Sequence, residues 1–469
     1  MNKYNKLVSN SVIFAIGNFS SKLITVIMLP FYTSYLSQSD YGQIDLMITT
    51  IALLLPLLTL NIVEAVIRFS LDKKKYSYGD VLTNALMFLL FGVLILLMIY
   101  PVLIHIQFIG EFVILFYCIF IAQSFHTIIK QFARSINMSK VFVISDILYT
   151  IYFVLFNILF IYFFRLGVQG YFFSMIIAYI LDLFYLLKRT NARQFIKRKY
   201  IDKSKMKLMF LYCIPLIPNN IMWWILNISD KFLITYFLGL SANGLYAVAS
   251  KFPSIIANFH GVFFNAWQIS AVEEYEELDK DEFYSNIFNV FFFLMLIFSS
   301  IYMIFNKFII GMLVADEFYS AWKYAPILVM GVVFSSFSGF IGTNYIAMKK
   351  TRGALYTSLF GALTNFILNL ILIPCYGIYG ASIATMISFA LVWLLRIKDT
   401  RKYVKINYPI IKMIFALTLI MTQLSLNYFN FDSDIFGTLN IVFCLLLFIL
   451  GYEYFRRPIL SLLRKIGLR

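Results

Sequence analysis

The chain has 469 residues, 61% of them hydrophobic and 13% charged, with a formal net charge of +16 at pH 7. So much apolar side chain exceeds what a soluble core hides, and continuous apolar runs of roughly 20 residues exclude a transmembrane barrel of short alternating strands. The fold class these numbers predict is all-α, a polytopic membrane protein with about fourteen transmembrane helices by the same roughly 20-residue criterion.

The first predicted span, 7–35, lacks a small-residue cleavage site and reads as a retained span rather than a signal peptide. It carries Asn18, Ser21, Lys22 and Thr25 at helical spacing, one polar stripe that puts a lysine far from either surface. A charge at mid-bilayer costs roughly 2.5–3.5 kcal/mol on the insertion scale, so such residues face a bundle interior or a wet cavity. A polar turn from Tyr35 to Gly42 then reads as a tight helical hairpin into the second span, 44–67. Asn61, Glu64 and Arg68 share a face there, and Glu64 and Arg68 are spaced to pair across one turn. Spans 81–104, 112–129, 141–164 and 168–187 complete an N-terminal six-helix lobe, 1–187, and a basic linker follows at 188–207.

A second six-helix lobe, 208–397, comprises spans 208–238, 245–269, 283–305, 325–347, 354–375 and 380–397, and two further spans, 408–429 and 435–455, lie in the 398–469 segment. Pro215 and Pro218 predict a break where the seventh span begins, after which Asn220, Asn227 and Lys231 align. In the eighth, Lys251, Ser254, Asn258 and Asn265 share a face. The candidate substrate-binding set is therefore Asn18, Lys22, Glu64, Arg68, Asn227, Lys231, Lys251 and Asn258, and the candidate ion-coupling acids are Asp45 and Asp230. The structural alternative makes the Asn and Ser residues interhelical glue, Lys231 and Lys251 interfacial, and Glu64 with Arg68 a plain ion pair. Asp146 and Asp182 fall near cytoplasmic span ends and read as interfacial or ion-paired, His126 and His260 are scattered, and the acidic stretch 273–282 reads as a solvated loop.

Lysine and arginine fix the orientation. With the first residue inside, the inside segments carry Lys3 and Lys6, Lys73 to Lys75, Lys130 and Arg134, the 188–207 linker, Lys349 and Lys350, 396–405 and the 456–469 tail, against Arg165, Lys307 and Lys323 outside. Both termini are expected in the cytoplasm, and the positive charge serves orientation and anionic lipid rather than nucleic acid. Cys118, Cys213, Cys375 and Cys444 show no paired spacing, so neither disulfides nor a metal are expected, and no motif calls for a cofactor.

The sequence also repeats itself. The turn Tyr35 to Gly42 is echoed by Phe237 to Gly244 with Leu, Ser and Gly in register, and Gly167-Val168-Gln169-Gly170 by Gly377-Ile378-Tyr379-Gly380. Two copies of an even-numbered span unit share one orientation, a parallel repeat, which is a transporter plan.

The stretch Asp230-Lys231-Phe232, then Tyr236-Phe237-Leu238-Gly239, then Gly244 to Phe252, resembles bacterial polysaccharide flippases of the O-antigen (Wzx) type. Leu372 to Thr385 resembles the junction of the eleventh and twelfth spans across their wider superfamily, the multidrug, oligosaccharidyl-lipid and polysaccharide exporters. The resemblance implies a V-shaped cavity between two lobes, open to one side of the bacterial cytoplasmic membrane at a time. Its substrate would be an undecaprenyl-diphosphate-linked oligosaccharide for lipopolysaccharide or other polysaccharide biosynthesis, its partners membrane lipids and glycan polymerase machinery. Lys22 falls where lipid II flippases carry an arginine, and the two final spans correspond to a groove for the lipid tail. Two other readings remain open at this stage: a multidrug exporter of the same superfamily, which would favour carboxylates over lysines in its cavity, and a membrane glycan polymerase or ligase, which would place catalytic residues in a long outer loop.

Overall fold

A bilayer core offers no water to an unpaired backbone amide, so a chain this apolar must close its hydrogen bonds within helices. The computed structural model describes residues 24–72, 74–348, 352–429 and 433–465, and among the described residues there is no strand. Asn18, Ser21, Lys22, Lys73, Lys349 and Lys350 lie outside the described residues, as does the side chain of Asn265. Ten described helices are long and apolar enough to cross a membrane, and Lys203–Leu216 with Asn220–Leu238 makes an eleventh if the bent pair is one span. The shorter apolar helices Ile24–Tyr35 and Ile410–Leu426 fall on the first and thirteenth predicted spans, and Lys251–Glu273 falls on the eighth. The protein is an all-α polytopic membrane protein.

Local chemistry sets where the helices begin. Ser37 caps Gln38–Leu58 and Asp40 reaches back to the Ser37 amide, a reciprocal capping box repeated by Ser77 and Asp80 at the start of Tyr78–Met98. The turn after Tyr35 is thus as tight as expected. The second span, however, is not continuous: Leu60 and Asn61 both adopt positive φ, and a separate helix, Ile62–Leu71, starts after Asn61. Pro56, near the end of the preceding helix, cannot donate to its own ladder and helps account for that break. In the seventh span a short 3-10 turn, Ile214–Leu216, separates Lys203–Cys213 from Ile217–Leu238 where the two prolines fall.

The chain divides into two compact units. The first holds residues up to Trp224 together with Gly239–Gly244. Its core packs Ala65 and Val66 against Val81, Ala85 and Leu89, with Ile128, Phe132 and Ala133 on the third side. The 188–207 segment is packed rather than loose, since Thr83 donates to the Phe195 carbonyl at 2.8 Å and Asn84 to the Tyr200 carbonyl at 3.2 Å. Within this unit the two in-register turn glycines meet. A Cβ on Gly42 would collide with the Leu240 carbonyl oxygen and one on Gly244 with the Gln38 carbonyl oxygen, while Asn243 donates to the Gly42 carbonyl at 3.0 Å.

The second unit holds Ile225–Leu238 and Leu245–Arg469. Ala325–Ala347 is its central helix, with 78% of its most apolar window buried. Around it stacks an aromatic core in which Trp267 lies 4.2 Å from Phe340 and Phe292 lies 4.8 Å from Phe337, centroid to centroid. Part of the acidic stretch is tied down, because Asp281 accepts from the Lys405 amide at 3.0 Å and Ser285 from the Asn407 amide at 2.8 Å. Gly167 and Gly377, the matched glycines of the second echo, both take left-handed φ, of 52° and 60°, at the turn before a helix.

The glycine crossing gives a test. Gly42→Val forces a branched side chain into backbone and should cost roughly 3 kcal/mol, lowering the amount of monodisperse protein recovered from membranes. Gly261→Ala, where nothing lies within 4 Å of a built Cβ, should leave recovery unchanged.

Candidate functional site

A buried carboxylate must be hydrogen-bonded or paired, so the acids inside spans locate the chemistry. Asp230, on Ile217–Leu238, is 3% exposed. Tyr246 and Thr385 donate their hydroxyls to its Oδ2, Thr385 at 3.3 Å, and the Lys231 amide donates to Oδ1 at 2.9 Å. The cluster continues inward: Asn365 Nδ2 donates to Thr385 Oγ1 at 3.4 Å, and Asn369 Nδ2 and Ser229 Oγ donate to Asn365 Oδ1 at 3.0 and 3.4 Å. Asn369 is fully buried, yet its Oδ1 has no hydrogen-bond partner. One carboxylate beside amide and hydroxyl oxygens is a donor set suited to a hard cation. Among the described residues no three His, Cys, Asp or Glu side chains gather to hold a metal, so the ligands available here are mostly neutral oxygens.

The other sequence-predicted residues are placed less tightly. Lys231 is half-buried beside Asp230, Lys251 and Asn258 are half-buried along Lys251–Glu273, and Asn227 is exposed. Glu64 and Arg68 do not form the expected ion pair. Both are exposed on Ile62–Leu71, whose buried face includes Ile62, Ala65 and Val66. Asp45 is 8% exposed and lies beside the phenols of Tyr41 and Tyr171.

Three charges take definite partners. Asp182, expected to be interfacial or ion-paired, is fully buried and 2.6 Å from His126, so that histidine is not isolated. Asp146 pairs with Lys130, whose ammonium also lies 4.5 Å from the centre of the Phe142 ring. Arg396, counted as a loop charge, is 4% exposed inside Ile378–Thr400. It donates to the Ser338 carbonyl at 2.8 Å, Ser358 Oγ at 3.1 Å and Thr357 Oγ1 at 3.2 Å, joining three helices. One turn on, Tyr345 donates to Asp399 at 2.7 Å, and the same carboxylate holds the exposed Lys402 ammonium above its usual range.

Several of these residues escaped sequence reasoning. Asn365 and Asn369 stand four apart in an apolar helix, a spacing that puts both on one face and could have marked them. Tyr246 and Thr385 lay inside the quoted motifs without a role. His126 and Asp182 are 56 positions apart, and no local signal joins them.

A sequence family described as polysaccharide biosynthesis protein matches residues 7–267. The uncharacterized membrane protein MJ1068 of Methanocaldococcus jannaschii is 26% identical over 325 residues, covering 66% of this chain and 61% of that protein. MJ1375 of the same organism is 27% identical over 259 residues, 49% of this chain and 57% of that protein. The chain thus matches less than two thirds of either relative's length. Among solved structures, the lipid II flippase MurJ in an inward closed conformation aligns with a TM-score of 0.72 over 96% of this chain and 100% of that one, at 16% identity. An inward-facing multidrug resistance MATE family transporter of the MOP superfamily aligns with a TM-score of 0.64, over 83% and 98%, at 14% identity. At such identities the likeness establishes a shared fold, the fold of membrane transporters.

Proposed function

Because the chain belongs to the polysaccharide biosynthesis protein family, we propose that it is a flippase that moves an undecaprenyl-diphosphate-linked oligosaccharide to the outer leaflet by alternating access. The observation that carries this reading is that family match on a chain with a transporter fold. The substrate's chemistry fits the sequence: a lipid diphosphate needs its charge shielded in transit, and Lys22 offers a cation in an otherwise apolar span. Lysine is a point charge without the planar fork of arginine, so its grip on the diphosphate would be the looser one. Asn18, Glu64, Arg68, Asn227, Lys231, Lys251 and Asn258 are proposed as further polar contacts along the route. The Asp230 cluster supports coupling to a cation, with Asp45 a second candidate. The same fold serves multidrug exporters, and that reading stands as the alternative if Lys22 proves dispensable. We place the protein in a cytoplasmic membrane with both termini inside, on the charge asymmetry.

Three measurements bear on this. In a flippase-null strain, with surface glycan normalised to membrane abundance, Lys22→Ala should lose a charge-assisted contact of about 1.5–3 kcal/mol and cripple export. Lys22→Arg should retain much of it, and normal export by Lys22→Ala would sink the substrate role. Sodium, compared with choline, should raise the thermal stability of the purified chain by about 2.7 kcal/mol at a hundredfold excess over its dissociation constant. Asp230→Asn should abolish that rise, and an equal rise in the variant would remove Asp230 from cation binding. Finally, in a cysteine-free background, an impermeant thiol reagent on intact cells should label Ser241→Cys and spare Arg193→Cys, both exposed positions; the reverse pattern overturns the orientation.

A further inference from the structure

The first unit buries a carboxylate for which the proposed cycle has no use. Asp182, on Gly167–Thr190, faces His126 of Val113–Ser135, with Nε2 2.6 Å from Oδ2, and the Ser145 hydroxyl of Ser139–Asn157 donates to the same oxygen. In a nucleophilic triad the histidine stands between serine and acid; here the acid stands between, so Ser145 is not activated. What the arrangement does provide is an open acceptor. Asp182 Oδ1 is buried without a hydrogen-bond partner. Unsatisfied buried acceptors are costly, which favours keeping a proton or a water at this point.

With His126 protonated the buried pair is neutral overall, and deprotonation leaves an uncompensated carboxylate in a low-dielectric interior. Loss of the proton therefore calls for access to water, which is the property a coupling site needs. Phenols stand beside the pair: the Tyr179 ring lies 5.1 Å from His126 and Tyr149 stacks 4.5 Å from Tyr179. One turn along the helix from His126, Lys130 pairs with Asp146.

The remaining neighbours contribute little charge. Ile62–Leu71 packs with Ala65 and Val66 while its Glu64 and Arg68 are exposed, and Asp80 of Tyr78–Met98 is paired 2.7 Å from Lys205. Gln38–Leu58 contributes Asp45.

We infer that the His126–Asp182 pair is a proton-binding site that loads and releases one proton in each transport cycle, with the phenols of Tyr149 and Tyr179 packed beside it. In the release step His126 loses its Nδ1 proton to water, while the Nε2 proton stays shared with Asp182; loading from the opposite side reverses it. The inference rests on the transporter reading for its role in the cycle, and the proton site itself can be read without any substrate.

Infrared titration of the purified full chain in liposomes, from about pH 5 to 8, reads the site directly. The wild type should show one imidazole–carboxylate proton that His126→Gln lacks. Because Asp182→Asn could fail to fold, Ser145→Ala serves as the second variant: it removes a donor to the carboxylate but neither titrating partner, so it should keep the proton that His126→Gln lacks. Identical titrations in all three proteins overturn the site. In flippase-null cells, export by the wild type should fall on adding a protonophore, whereas His126→Gln at equal abundance should export about tenfold less and respond no further. Export by His126→Gln at the wild-type rate and with unchanged protonophore sensitivity overturns the coupling role. A wild-type chain that exports no glycan, yet titrates as expected, refutes the proposed substrate and leaves the proton site standing.

Discussion

The desolvation of polar groups in an apolar interior is the constraint from which the rest of this structure follows. Backbone amides satisfy it by closing into helices, and the described chain accordingly contains no strand. Side chains satisfy it by clustering. Thus Arg396 reaches one carbonyl and two hydroxyls on neighbouring helices, and Asp230 gathers two hydroxyls and an amide. Each cluster ties helices distant in sequence, so the polar minority of the chain specifies which apolar surfaces meet. Apolar packing alone would leave that choice weakly determined.

Close approach between helices then depends on the absence of side chains. At Gly42 and Gly244 backbone meets backbone, and the Asn243 amide bonds directly to the Gly42 carbonyl. The repeat in the sequence thus has a physical meaning that extends past ancestry. Glycines in register at two turns become the two sides of one contact, and Gly167 and Gly377 both supply a positive φ where a helix begins.

Helix positions were legible in the sequence because hydropathy and capping are local. Ser37 with Asp40, and Ser77 with Asp80, set helix starts within four residues of chain, and apolar runs such as 168–187 and 325–347 fall on observed helices. The internal break at Leu60 and Asn61 was not legible, since neither residue is one whose side chain demands a left-handed conformation. Candidate residues fared according to how far their partners lay. Asp230 could be singled out as a buried acid, but its partner Thr385, and Asn365 behind it, come from helices more than a hundred residues away. Glu64 and Arg68 had the right spacing to pair, yet spacing does not supply burial, and two exposed side chains gain little from each other. Arg396 misled for the opposite reason: it stands at the end of its predicted span beside a run of basic residues, and only packing reveals that its side chain is buried.

The two units differ in the kind of polar group they bury, and that difference carries a chemical consequence. Against Asp182 stand an imidazole, which binds protons, and the Ser145 hydroxyl, with phenols further out. Against Asp230 stand the hydroxyls of Tyr246 and Thr385, with carboxamides behind them that offer neutral oxygens to a hard cation. A shared backbone plan with matched turn glycines has therefore been filled with two chemistries. On the reading proposed above, a proton in one unit and a metal cation in the other would bias the same conformational equilibrium through different contacts, and each could act only to the extent that it binds one state more tightly than the other.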